Sequence, residues 1–261
     1  MDDYEIRPFS KERRNISILL SETEKKHIIH AILEVDVTDA RKRIREQKKK
    51  GRDISFTTWV IKCIATVMGE MKEFNALRHG KRKIVFFNDV DVAIPVEREI
   101  NGERTVMAYI IRGANKKSID EMTKEIRDAQ KEEVEGKEQV LGKKGFMERF
   151  AIASPDFVKK ILLLIASRNA FLRKKYMGTT AVSAVGMIGN FQGWILIMGG
   201  HFTTQFGVGG IVEKPVLVNG NLEKKDYLRL IISVDHDIID GAPLARFSSR
   251  LVELMEGSSY L

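Results

Sequence analysis

Apolar and polar positions along the chain change period several times, and the order of those changes outlines the elements. Residues 28–37 alternate late in the run, with Leu33, Val35 and Val37 on one side and Glu34 and Asp36 on the other. That is the period-two mark of a strand with one polar face. Thr38-Asp39 opens a helix with 40–50 as its body and Gly51 as its stop. Ser55 caps a second helix, 57–72, in which Val60, Ile61, Ile64, Val67, Met68 and Met71 recur at helical spacing. Two apolar runs, 84–87 and 90–96, are split by Asn88-Asp89 and predict a hairpin closed by Pro95. A turn around Asn101-Gly102 leads to a further strand, 105–112. Ser118-Ile119-Asp120-Glu121 starts an amphipathic helix that runs to about residue 135, with Ile119, Met122 and Ile126 on its buried side.

The second half breaks this rhythm. Residues 136–145 are charged and punctuated by glycine, and Ser154-Pro155 then begins a helix that extends to 172. It is apolar nearly all round in its middle and ends in Arg173-Lys174-Lys175. Such a helix is either buried in a subunit interface, a cap on the core, or a surface that meets lipid or an acyl chain. Residues 179–189 form a strand of small residues entering a glycine turn, leaving room for a ligand or another backbone. The glycine-rich run 199–210 matches neither phosphate-loop pattern, because no lysine and no helix follow the glycines. Segments 211–218 and 228–234 pair as a hairpin over Asn219-Gly220, and a last helix, 243–256, buries Leu244, Phe247, Leu251 and Leu254. Residues 1–20 form an arm with a basic cluster, Lys11, Arg13 and Arg14, leading into a short helix or strand. Long strands mixed with a few helices, without clean strand–helix alternation, predict an α/β two-layer sandwich with a mixed β-sheet.

Composition narrows the function without choosing it. The 261 residues suffice for a sizeable core, and 43% hydrophobic with 31% charged residues is ordinary for a globular protein. The net charge of +8 favours anionic partners: nucleic acid, acidic membrane or a phosphate-bearing cofactor. The basic run 41–50 has no interleaved aromatics, so it is expected to be a solvated helix face and no nucleic acid is expected. His27 and His30 flank a strand rather than a helix, so no metal site is expected. The single cysteine, Cys63, excludes an intramolecular disulfide, fits a reducing compartment and lies in an apolar helical run as a buried structural thiol. With no basic-then-apolar leader and no long apolar span in view, the expected location is cytoplasmic.

Candidate chemistry gathers in residues 230–242. An apolar, β-branched run, Leu230-Ile231-Ile232-Ser233-Val234, runs into Asp235-His236-Asp237 and the turn Asp240-Gly241. A histidine delivered by the end of a strand suits a general base, since imidazole can take and return a proton near neutral pH. Asp240, four residues on, can fix the local backbone or pair with a cation. The bland alternative is a polar histidine in a turn with Asp240-Gly241 as punctuation.

The chain also resembles a known family. Val234-Asp235-His236-Asp237-Ile238-Ile239-Asp240-Gly241-Ala242 with Ala245-Arg246-Phe247 is similar to the C-terminal signature of the 2-oxo acid dehydrogenase acyltransferases, the dihydrolipoyl acyltransferases, whose fold is that of chloramphenicol acetyltransferase. Glu34-Val35-Asp36-Val37-Thr38, Phe74-Asn75-Ala76, Val90-Asp91-Val92-Ala93-Ile94-Pro95-Val96 and Thr180-Ala181-Val182-Ser183-Ala184-Val185-Gly186-Met187 recur in the family's order. The resemblance implies a coenzyme A-dependent acyltransferase. In it His236 is the base that deprotonates a thiol, Ser183 stabilises the tetrahedral oxyanion, and Asp240 holds the histidine loop with Arg13 as its ionic partner. It implies a homotrimer, or a larger assembly of trimers, with His236 and Ser183 of one site on different chains. Coenzyme A enters as acyl-CoA substrate, with the basic balance serving its phosphates. Ala184 departs from the asparagine common in complex-forming members, and no proline-rich path runs between Met187 and Val208. Only a few residues precede the catalytic part, so a stand-alone enzyme with no lipoyl attachment site is expected. Residues 1–261 then form a single catalytic domain with an extra helical insertion at about 143–177. The competing reading is a non-catalytic trimeric scaffold or membrane-surface module that keeps the fold and meets lipid through 154–172.

Overall fold

In the computed structural model the residues described are 4–6, 8–21, 26–100, 103–131, 154–184, 186, 191–197 and 200–261. The architecture is an α/β two-layer sandwich. Among the described residues the main sheet has six strands in the order β1-β8-β7-β6-β4-β5. These are β1 (Ile28–Asp36), β4 (Val92–Ile100), β5 (Glu103–Ile111), β6 (Thr180–Ser183), β7 (Thr204–Val218) and β8 (Asn221–Asp235). The β4/β6 and β6/β7 pairs are parallel and the others antiparallel, so the sheet is mixed. Helices α2 (Thr38–Lys49), α3 (Phe56–Glu70), α4 (Ile119–Lys131) and α7 (Gly241–Glu256) supply the second layer. Between the layers Phe247 stacks on Phe74 at 4.1 Å and tilts against Phe206 at 6.0 Å between ring centroids.

Strand β8 explains the placement of the histidine. Leu228, Leu230, Ile232 and Val234 enter the core between the layers. The alternate residues Arg229, Ile231, Ser233 and Asp235 lie on the other face and are buried as well. The stretch 191–197 crosses that face with the Trp194 ring over Arg229, while His30 meets Ser233 and Lys26 meets Asp235. Cβ atoms built on Gly207, Gly209 and Gly210 would collide with Ile195 O, Gly193 O and Phe191 O. Gly207, Gly209 and Gly210 therefore serve a backbone crossing over β7, with a bulge between Val208 and Ile211. Asn219 (φ 49°) and Gly220 (φ 84°) both take the left-handed conformation that a tight primed hairpin turn demands.

Three expectations are corrected. Residues 84–96 do not form a hairpin with each other. Instead β3 (Lys83–Phe86) pairs with β2 (Ala76–His79) in a separate two-stranded sheet, and β4 pairs with β5. The Asn88-Asp89 stretch is a crossing between the two sheets. Asn75 Nδ2 donates to Phe87 O and Asp89 O, and Val90 N donates to Asn115 Oδ1. The helix over 154–172 is two helices, α5 (Asp156–Arg168) and α6 (Ala170–Met177). They part at Asn169, whose side chain accepts from Phe171 N and Leu172 N and so caps α6. No residue of α5 is buried, so it does not cap the core; Phe157, Ile161 and Ile165 are each more than half exposed. The small-residue strand is Thr180–Ser183, with Thr179 and Ala184 outside it, and residues 185 and 187–189 of the expected stretch lie outside the described residues. The basic cluster of the N-terminal arm lies on a helix, α1 (Lys11–Leu20), capped by Ser10. The Asn101-Gly102 turn and the charged stretch 136–145 lie outside the described residues.

Candidate active site

His236 is the first residue beyond β8, and both of its sequence neighbours are pinned. Its own N–H donates to His27 O at 2.7 Å. Asp235, before it, is buried; its backbone N–H donates to Thr203 O at 2.9 Å and its carboxylate meets Lys26 Nζ at 3.1 Å. Lys26 Nζ also donates to Phe202 O at 2.7 Å. Burial pulls the Lys26 ammonium below its usual range, and the Asp235 carboxylate opposes that pull. Asp237, after the histidine, meets His27 Nδ1 at 2.9 Å and Arg78 at 3.4 Å. The turn is therefore braced from two sides, while the His236 side chain stays 44% exposed.

Arg173 of α6 completes the brace. It donates to His201 O at 2.7 Å and to Arg78 O. Burial lowers its guanidinium to about 10, and Asp235 partly offsets the effect. One side chain thus ties α6 to β2 and to the turn that feeds β7. Lys26, Arg78, Arg173 and the two flanking aspartates were not singled out as site residues from the sequence. Asp235 and Asp237 were visible beside the histidine, but their cations come from positions 26, 78 and 173.

Asp240 is 81% exposed, and its carboxylate lies 3.6 Å from His236 Nδ1. It occupies the N-cap position of α7 without a side-chain capping bond. Within one chain, among the described residues, the side chain nearest its carboxylate is His236 rather than Arg13. Ser183 closes β6 on the sheet face opposite the core, since its neighbour Val182 points into the core. Among the described residues Ser183 Oγ has no hydrogen-bond partner.

The register keeps Ser183 and His236 of one chain apart. Ser183 pairs with Gly207, which pairs with Ile231, whereas His236 lies five residues further along β8. That is about 17 Å along the strands and about 10 Å across two strand spacings. One chain cannot bring the two onto the same carbonyl. A hollow of about 700 Å³ beside α4, lined by Tyr109, Glu121 and Glu125 among others, includes neither residue. Among the described residues no cluster of three metal-ligating side chains occurs. His30 Nδ1 bonds to Ser233 Oγ at 2.8 Å, and His27 is engaged by Asp237. Cys63 is buried in α3, and burial pushes its thiol up to about 12, as suits a structural residue.

The mixed sheet covered by helices on one face is the class of fold seen in chloramphenicol acetyltransferase. A solved structure of that enzyme superposes with a TM-score of 0.52 over 97% of this chain and 99% of its own, at 15% identity. The cubic core of the pyruvate dehydrogenase multienzyme complex superposes with a TM-score of 0.65 over 97% of this chain and 92% of its own, at 18% identity. Residues 1–144 and 167–261 match the family model described as 2-oxoacid dehydrogenases acyltransferase (catalytic domain), and the chain belongs to that family. A curated relative is the lipoamide acyltransferase component of the branched-chain alpha-keto acid dehydrogenase complex of Bacillus subtilis (strain 168). It is 25% identical over 240 residues, covering 89% of this chain and 48% of its own. The chain spans about half the length of the curated relatives it matches.

Proposed function

We propose that the protein transfers acyl groups between coenzyme A and an acceptor, with His236 as general base and Ser183 of a neighbouring chain as oxyanion donor. His236 Nε2, the ring nitrogen away from Asp240, takes the proton of the attacking thiol. The thiolate sulfur adds to the acyl carbonyl carbon, and the new oxyanion accepts a hydrogen bond from Ser183 Oγ–H. Collapse breaks the original bond to the leaving group, which recovers the proton from the imidazolium. One such donor is typically worth about 3–4 kcal/mol of barrier. The observation that carries the reading is the braced, half-exposed histidine at the end of β8. The Ser183 hydroxyl, without a hydrogen-bond partner among the described residues, and the family membership support it. The same register favours a site in which the two groups meet across a chain boundary, and the family membership favours a trimer or an assembly of trimers as the source of that boundary. The family model passes over 145–166, which supports one catalytic domain with a helical insertion at about 143–177. The test is turnover of acetyl-CoA with a dithiol acceptor. His236→Ala should lose at least about 1000-fold in kcat with an unchanged melting temperature; near-normal turnover in that variant refutes the assignment.

The exposed apolar residues of α5 favour a second reading, a scaffold that meets lipid or another subunit through that helix. Among the described residues no helix is long and apolar enough to cross a membrane. Co-sedimentation with anionic liposomes, lost on replacing Phe157, Ile161 and Ile165 by Ser, together with no coenzyme A binding, would favour it over the enzyme.

A further inference from the structure

Asp91 is a buried carboxylate to which the proposed chemistry gives no part. It stands just before β4 and is 3% exposed. Its Oδ2 meets Arg112 Nη1 and Lys174 Nζ, each at 2.9 Å, and its Oδ1 accepts from Gly113 N at 2.9 Å. A charge buried this deeply is tolerated only among such partners, and removing it leaves them uncompensated. Arg112 reaches further. Its Nη1 donates to Lys174 O at 2.6 Å and its Nη2 to Lys175 O. These carbonyls belong to the last turn of α6, where a cation meets the negative end of the helix dipole.

The backbone of Asp91 meets the entrance of β6. Its carbonyl accepts from Thr179 N at 2.8 Å and from Thr180 N at 3.2 Å, and its amide donates to Thr179 Oγ1 at 3.0 Å. Gly178, at φ 88°, makes the approach possible, since a Cβ there would lie 2.6 Å from Asp91 O. Strand β6 then pairs with β4 at Thr180–Val92 and Ala181–Ala93. Ser183 follows two residues later, about 7 Å along the strand. The Asp91 cluster therefore sets where this short strand starts, and with it where the Ser183 hydroxyl stands. The same helix serves the histidine. Arg173, the residue before Lys174, ties α6 to His201 O and Arg78 O beside the histidine turn.

We propose that Asp91, held by Arg112 and Lys174, is a positioning residue for Ser183, and that α6 carries the braces of both half-sites of its chain. The inference rests on the acyltransferase reading with His236 and Ser183 supplied by different chains. One α6 then steadies the serine of one active site and the histidine of the next. Asp91→Asn removes the charge that gathers Arg112 and Lys174. The β4–β6 junction relaxes, and the Ser183 hydroxyl moves off the line to the oxyanion.

Mixed assemblies test this. Chains carrying His236→Ala keep the serine, and chains carrying Ser183→Ala keep the histidine. Unfolded and refolded together, they form complete sites only across a chain boundary. Asp91→Asn is added to one kind of chain or to the other, so the two mixtures carry the same substitutions in the same amounts. Turnover of acetyl-CoA with a dithiol acceptor should fall about 10–100-fold with Asp91→Asn on the serine-giving chains and stay within about twofold with it on the histidine-giving chains. Arg173→Met should give the opposite pattern. Should Asp91→Asn chains not assemble, Lys174→Met, which leaves Arg112 on Asp91, takes its place with the same expected asymmetry. A loss of general stability lowers both mixtures alike, so equal turnover in the two, with unchanged circular dichroism melts, overturns the proposal. If the mixture without Asp91→Asn stays inactive while the native protein turns over, the cross-chain site fails and the proposal with it. If the native protein shows no turnover, the acyltransferase reading itself fails.

Discussion

Arg173 places a guanidinium in a site almost closed to solvent, and what makes that tolerable is two backbone carbonyls and the nearby Asp235. Arg173→Met removes the link among α6, β2 and the 200–203 turn and leaves Asp235 with Lys26 alone. The expected cost is about 2–4 kcal/mol in denaturant unfolding, with a fall in kcat larger than the change in KM because His236 loses its brace. Arg173→Lys should recover little, since one ammonium cannot span both carbonyls. Asp36 makes a pH prediction. Desolvation raises its carboxyl, but bonds from Lys225 and from the Thr38 hydroxyl and amide outweigh that and hold it below its ordinary 3.8. A carboxyl depressed in the fold contributes stability that is present above 3.8 and lost as pH falls through its folded value. Asp36→Asn should therefore be less stable than the native protein at pH 6, with the gap narrowing below pH 3.8; equal acid unfolding curves would contradict this.

At the scale of elements, the crossing of 191–197 over β7 depends on bare glycine. Gly210→Ala drives a methyl group into Phe191 O. The crossing stretch must lift, at a cost of about 1–3 kcal/mol. Trp194, whose indole Nε1 donates to Leu33 O and whose ring lies 3.9 Å from the Arg229 guanidinium, should report the shift as a change in tryptophan emission. Which elements could be foreseen follows from the physics of each. The period-two run into β1, the Asn219-Gly220 turn, the Ser118/Glu121 capping box and α7 all carry local signals, and each appears where it was expected. The pairing of β3 did not, because strands 84–86 and 92–96 look equally able to pair, and Asn75 and Asn115, distant in sequence, decide the route between them. The break at Asn169 was likewise hidden, since its flanks are both good helix formers.

At the scale of the whole molecule, a site built from His236 of one chain and Ser183 of the next can be assembled from two inactive halves. His236→Ala and Ser183→Ala protomers, unfolded and refolded together in equal amounts, should regain about a quarter of native activity if pairing is random. Each alone should stay near background, and recovery no better than the sum of the two parents would argue for a site within one chain. By itself the sequence determined the mixed α/β class and most element positions. Those depend on periodicity, capping and turn residues that act over a few positions. Only the tertiary structure decided what surrounds the histidine: Lys26, Arg78 and Arg173 converging on Asp235 and Asp237, the cationic hairpin beside them, and the strand register that sets the spacing between His236 and Ser183 within one chain. Long-range pairing sets these, through strand register and the burial of opposite charges, and no local pattern encodes which distant partner a buried charge will meet.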